Sequence, residues 1–253
     1  MTRNFKVLGL ALFALFAMSA IIAQVASAAN GKLTSDGPVT LTGTETGIEA
    51  NRLHAFGTFV ECPGSTYTGH KYKVTPHEFI ESGAETITLA PHYKQTTGTG
   101  APNCKGPAGT SATVDFPTGC DYVAHLGETT GGVNGTYGVK FDVVCEHPAT
   151  EEIKVTVWLS EAAHTAEPTS PKCILRVPDN AHNKELVGAH ATDTGNGTVD
   201  LSGTVEGITV AQTRNSILCP SGTHTEIGQF DLDVSVTGHN KLGGATGISL
   251  SHN

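Results

Sequence analysis

Twelve histidines and six cysteines are the side chains of this 253-residue chain best equipped for chemistry. Imidazoles hold zinc or move protons near neutral pH, and a zinc site needs three or four convergent ligands. His70, His77 and His92 cluster in sequence, yet no two histidines stand at the i, i+2 spacing that would put both rings on one face of a strand. Scattered surface and strand-end histidines are therefore expected, with no metal and no cofactor. The cysteines, at 62, 104, 120, 145, 173 and 219, contain no Cys-x-x-Cys pair and are widely spaced, so disulfides are expected rather than zinc. With all six oxidised, no thiol nucleophile remains.

Carboxylates offer a second chemistry. Glu151 with Glu152, Glu81 with Glu85, and Asp231 with Asp233 are the adjacent pairs. A glycosidase needs two carboxyl groups at a defined separation across a cleft, whereas Asp231 and Asp233 share one face of a strand, as solvated residues do. The run Asp193 to Asp200 faintly resembles a calcium loop, but lacks the third-position acid and closing Glu of an EF-hand. Asn196-Gly197 instead predicts a hairpin turn. The chain has no Gly-x-Ser-x-Gly elbow, no His-Glu-x-x-His and no phosphate-binding glycine loop before a helix. Sugar platforms present aromatic rings, and Tyr67, Tyr72 and Tyr93, in or near loops of the first third, are the candidate binding residues.

The elements that would carry these residues are strands. Charged residues make up only 15% of the chain, and Thr, Val and Ile are punctuated by 30 glycines, a β-rich composition. Strands are predicted near 38–46, 53–62, 70–79, 86–93, 112–116, 120–127, 137–145, 153–160, 172–178, 186–192, 198–206, 208–219, 229–237 and 246–251. The single helix candidate is Ser160 to Glu167, ended by Pro168. The segment Gly37–Thr44 returns in diverged form as Gly197–Thr204, Cys62-Pro63 as Cys219-Pro220, and Ile87-Thr88-Leu89 as Ile248-Ser249-Leu250, at a nearly constant offset. This predicts a duplication, with β units at 29–105 and 193–253 around a central β segment, 106–192. The expected fold is all-β, antiparallel and sandwich-like, as one large or two small units stapled by disulfides.

One staple follows from geometry. Gly131-Gly132-Val133-Asn134-Gly135 is a turn composition. Folding about its midpoint sets Cys120 opposite Cys145 and Tyr122 opposite Val143, within disulfide reach. By parsimony, Cys62 is paired with Cys104 and Cys173 with Cys219.

The chain begins with Arg3 and Lys6, an apolar run from Val7 to Val25, and Ala26-Ser27-Ala28. That is a signal peptide, residues 1–28. An uncleaved anchor is the alternative, because the run approaches the length that crosses a bilayer. Cleavage removes two basic residues and no acidic one, so the net charge moves from −9 to −11. So acidic a chain repels phosphate backbones and anionic membrane surfaces, so neither nucleic acid nor, after cleavage, a membrane is an expected partner.

Val60-Glu61-Cys62-Pro63-Gly64-Ser65-Thr66-Tyr67-Thr68-Gly69, Gly119-Cys120-Asp121-Tyr122 and the closing Asp233-Val234-Ser235-Val236 carry a resemblance. With the signal peptide, they make the chain similar to a loose group of exported actinobacterial β-rich proteins to which no activity is attached. The expected function is that of a secreted or envelope-associated, non-catalytic protein binding a cell-wall polymer, a glycan or another protein. An extracellular hydrolase with dispersed Asp, Glu and His, or a protease inhibitor using the loop 98–110, are the alternatives.

Overall fold

Alternation sets the strands. In Phe230-Asp231-Leu232-Asp233-Val234-Ser235-Val236 every second residue is buried, so the apolar set faces one interior and the polar set faces out. In the computed structural model, which describes residues 30–47, 51–69, 79–93, 104–129, 135–147, 151–158, 172–178, 186–214 and 224–252, this logic repeats through seventeen strands. They are β1 (Gly31–Ser35), β2 (Thr40–Glu45), β3 (Arg52–Ala55), β4 (Thr58–Glu61), β5 (Thr66–Gly69), β6 (Thr86–His92), β7 (Cys104–Lys105), β8 (Ser111–Asp115) and β9 (Cys120–Thr129). The rest are β10 (Thr136–Cys145), β11 (Glu152–Trp158), β12 (Lys172–Pro178), β13 (Leu186–Asp193), β14 (Thr198–Arg214), β15 (His224–His239), β16 (Ala245–Thr246) and β17 (Ile248–His252). All pairings are antiparallel, and the only helical turn among the described residues is a 3₁₀ turn at Pro107–Gly109.

The pairing closes on itself twice. One circuit runs β15-β2-β5-β6-β9-β10-β13-β14 and back to β15. The other runs β14-β12-β11-β8-β7-β4-β3-β15 and back to β14. The long ribbon β14–β15 is common to both. In the first circuit, residues 199–203 of β14 pair with β13 and 234–239 of β15 pair with β2; in the second, 211–214 of β14 pair with β12 and 229–231 of β15 pair with β3. A register shift between Glu206 and Ile208 marks the handover, as a bulge does where a strand changes sheet. Closure satisfies the edges that a sandwich would leave unpaired. The ribbon β1–β17 packs against β9 and β14, with Leu33 and Ile248 buried against the first circuit.

Both circuits draw strands from 29–105, 106–192 and 193–253. Strands β2 and β14 pair with opposite edges of β15.

Two departures from the predicted strands have local causes. The strand predicted over 53–62 is instead the hairpin β3–β4, because Phe56 and Gly57 both take positive φ (55° and 70°), the two-residue turn that matches strand twist. The strands predicted at 198–206 and 208–219 are one strand through Arg214, since Gly207 makes a bulge rather than a turn. Most of the strand predicted at 70–79, the helix candidate 160–167, Tyr72 and the loop 98–103 lie outside the described residues.

Cys120 is bonded to Cys145, with Tyr122 opposite Val143 as predicted. A bulge between Tyr137 and Val139 shifts the register only toward the turn, beyond the disulfide. Cys62 is bonded to Cys104. Cys173 is also disulfide-bonded, and its predicted partner Cys219 lies outside the described residues. These bonds belong to an oxidising environment. No helix among the described residues is long and apolar enough to cross a membrane.

Candidate functional site

The outward face of the first circuit carries a regular array of hydroxyls. In β2 the interior takes Leu41 and Gly43, which leaves Thr42 and Thr44 exposed. In β5 the interior takes Tyr67 and Gly69, leaving Thr66 and Thr68 exposed. Register aligns them across strands. One row reads Thr192, Asp200, Ser235, Thr44, Thr66 and His92, from β13 to β6. The next reads Thr198, Thr237, Thr42, Thr68 and Ala90. Neighbouring strands lie about 4.8 Å apart, and residues two apart on one strand about 6.8 Å, so the hydroxyls form a grid.

Imidazoles hold parts of this grid. His239 Nε2 shares a 2.8 Å hydrogen bond with Thr42 Oγ1, and His92 Nε2 shares one of 2.8 Å with Thr68 Oγ1. Asp200 is the one carboxyl side chain in the two rows. Acidic residues border the array, and their oxygens are engaged. Thr46 donates to Asp233 Oδ1 at 2.6 Å, Thr204 donates to Asp231 Oδ1 at 2.8 Å, and His54 Nε2 lies 2.7 Å from Asp231 Oδ2.

The tyrosine candidates are placed differently from a sugar platform. Tyr67 is 1% exposed, inside the first circuit, with its hydroxyl donating to Asn51 Oδ1. It presents no ring face to solvent and packs the core rather than offering a surface for a sugar. The inward phase of β5 is the reason. Tyr93 is half-buried at the junction of the circuits, its hydroxyl 2.6 Å from that of Tyr122. Burial pushes the Tyr67, Tyr93 and Tyr122 hydroxyls well above the usual tyrosine range, so all three stay protonated. Tyr93 also packs with Phe116, and Phe116 with Tyr122, as an aromatic cluster rather than a binding platform.

Several other chemistry-bearing groups have structural partners. Glu152 pairs with Arg176, and Glu151 accepts from the His147 backbone N–H at 3.0 Å. Asp193 accepts from the N–H groups of Gly195 and Leu250, at 2.8 and 3.0 Å, in the hairpin turn the sequence predicted. His125 Nε2 lies 3.0 Å from Asp142 Oδ2, and His252 Nδ1 lies 3.1 Å from Tyr137 Oη. No group of three or more His, Cys, Asp or Glu among the described residues converges on a metal site.

The hydroxyl array leaves only a faint mark on the sequence. Its trace is the alternation Thr40-x-Thr42-x-Thr44-x-Thr46 together with Thr66-x-Thr68, which reads equally as ordinary strand composition until register brings the rows together. No protein-family model, curated protein or solved structure matches the chain.

Proposed function

We propose that this is an exported, non-catalytic protein of the extracellular space or cell envelope that binds a polyhydroxylated polymer through the hydroxyl face of its first circuit. The observation that carries the reading is the block of exposed Thr42, Thr44, Thr66 and Thr68 on adjacent strands, flanked by His92 and His239. A hydroxyl both donates and accepts, so a grid of them complements the mixed donors and acceptors of a glycan chain. The lack of lysine and arginine in the rows, together with the acidic net charge, disfavours a phosphate-rich ligand. The signal-peptide pattern read over residues 1–28 and the disulfides support a location where such polymers are found.

Cosedimentation with insoluble cell-wall and plant polysaccharides tests this reading. The wild type is expected to pellet with at least one glycan. Thr42→Val with Thr66→Val keeps side-chain shape and strand propensity, and is expected to weaken that binding at least about tenfold, the equivalent of one or two lost hydrogen bonds. Absence of binding to every polymer, or equal binding by the double variant, would contradict it. Fractionation of a native culture tests export: the chain lacking residues 1–28 is expected outside the cytoplasm, and a full-length cytoplasmic form would exclude it.

A further inference from the structure

We infer that the interior of the second circuit is a binding site for a small apolar molecule carrying one hydroxyl or carbonyl group. This site is independent of the hydroxyl face and faces the opposite kind of ligand. A closed antiparallel ring of eight strands has an interior that its own side chains just fill, or that holds one small ligand. In the second circuit the side chains do not fill it. A cavity of about 160 Å³ lies between Val60 of β4, Val157 of β11 and Leu175 of β12. Val60 also lines a smaller cavity of about 40 Å³ toward the junction with the first circuit. An apolar cavity of about 150 Å³ takes up benzene in preference to water.

Three features make this more than loose packing. Thr58 lines the larger cavity, and its hydroxyl is buried with no hydrogen-bond partner. A buried hydroxyl without a partner is costly, and a ligand oxygen would satisfy it. Gln212, 1% exposed, adds a second polar side chain to the wall, and Thr110, whose hydroxyl donates to the Pro107 carbonyl at 2.7 Å, a third. Phe56, a bulky residue, is held at a positive φ of 55° and lines the cavity beside Thr58. That backbone belongs to the two-residue turn of the β3–β4 hairpin, which fixes the Phe56 ring at the rim of the cavity. The half-buried Phe56, Pro107 and Thr110 bring this cavity to the protein surface.

Toluene and benzyl alcohol are matched probes, one without and one with a hydroxyl. Titration of the full mature chain, followed by NMR shifts, is expected to show saturable binding of both at millimolar concentrations, with benzyl alcohol the tighter. Thr58→Val is expected to lower benzyl alcohol affinity about fivefold to tenfold, the worth of one hydrogen bond, and to leave toluene within about twofold. Val157→Phe fills the cavity and is expected to abolish both while native chemical-shift dispersion is retained. Crystals of the wild type under xenon are expected to show a site between Val60 and Val157, a readout that needs no variant to fold. Failure of both probes to saturate, an empty xenon map, or unchanged binding in a folded Val157→Phe would each overturn the inference. Equal loss of both probes in Thr58→Val would remove the hydrogen-bonding part.

Discussion

The two circuits have the same number of strands and share a ribbon, yet their interiors differ. The first is filled by long side chains interleaved with small ones. Tyr67, Tyr137, Leu41, Ile87, Leu89 and Leu201 are all fully buried, and Ala189, Ala191, Gly43 and Gly69 make room for them. A Cβ on Gly69 would come within 2.5 Å of Leu41, so the small residues there are required by packing. The second is lined mostly by Val60, Val114, Val155, Val157 and Val177, with Leu53, Leu175, Ile153, Ile208 and Phe230, and cavities of about 160 and 40 Å³ remain between them. Interior volume follows from side-chain length at fixed strand number. The same architecture therefore yields one structural core, whose outer face is available for recognition, and one hollow core.

The closures also differ in strength. The first circuit's β9–β10 ladder runs nearly the length of both strands, with Cys120–Cys145 at its end. In the second, β4 and β7 share one paired position, Glu61 with Lys105, next to Cys62–Cys104. In the loop-entropy model, sequence separations of 25 and 42 give the two disulfides similar worth, about 3.5 and 3.9 kcal/mol. Their removal should nonetheless have different consequences. Cys62→Ala with Cys104→Ala is expected to cost about 4 kcal/mol and also to abolish probe binding in the second circuit, because the ring opens. Cys120→Ala with Cys145→Ala is expected to cost about as much and leave binding intact. Urea midpoints and probe titrations on both variants check this, and equal loss of binding in the two would erase the distinction.

A smaller effect is expected inside the first circuit. Tyr67→Phe removes the donor to Asn51, a residue itself 1% exposed, and leaves a buried carbonyl unsatisfied at a cost of about 1–3 kcal/mol. Urea denaturation measures it, and a change below about 0.5 kcal/mol, the usual range for surface substitutions, would show that this bond does not hold the core.

The alkaline limit should come from the same region. Tyr67, Tyr93 and Tyr122 have hydroxyls raised by burial. A raised folded-state value means the native protein keeps a proton that the unfolded chain releases above about pH 10. Their stabilising contribution is therefore complete below that pH and is lost as pH rises beyond it. Unfolding midpoints are expected to be level from pH 7 to 9 and to fall above about pH 10, with tyrosinate absorbance appearing together with unfolding. Tyrosinate forming in the folded state near pH 10 would contradict the burial of these rings.

Much of the fold was legible because alternation is a local property. Residues 172–178 form a strand over the predicted range, and the opposition of Cys120 and Cys145 followed from a turn composition and simple counting. The double closure was not legible. Nothing in the local pattern of β14 says that its first half faces one interior and its second half another, since a bulge at Gly207 and a turn at Gly207 look alike in sequence. Strand β1 was also missed, because Gly31–Ser35 is short and its partners, β17 and the segment around Ala84, lie far away in the sequence. The candidate site was partly visible. Thr42, Thr44, Thr66 and Thr68 alternate in the sequence, but rows arise only from registers between strands far apart in the chain. Only the phase of β5 decides which way Tyr67 points, into the core.

The contrast between a filled and a hollow circuit is tested most directly by enlarging one buried residue in each. Ala191→Val adds volume beside Tyr137 and Leu201 in the first circuit, where Ala191 is 0% exposed. It is expected to destabilise by about 1–3 kcal/mol, the cost of overpacking. Val157→Ile adds one methylene against the cavity of the second circuit. It is expected to be neutral or to stabilise by up to about 0.8 kcal/mol. Urea midpoints at unchanged m-values decide the matter. Opposite responses support the account, and a Val157→Ile that destabilises as much as Ala191→Val would show that the second circuit is as full as the first.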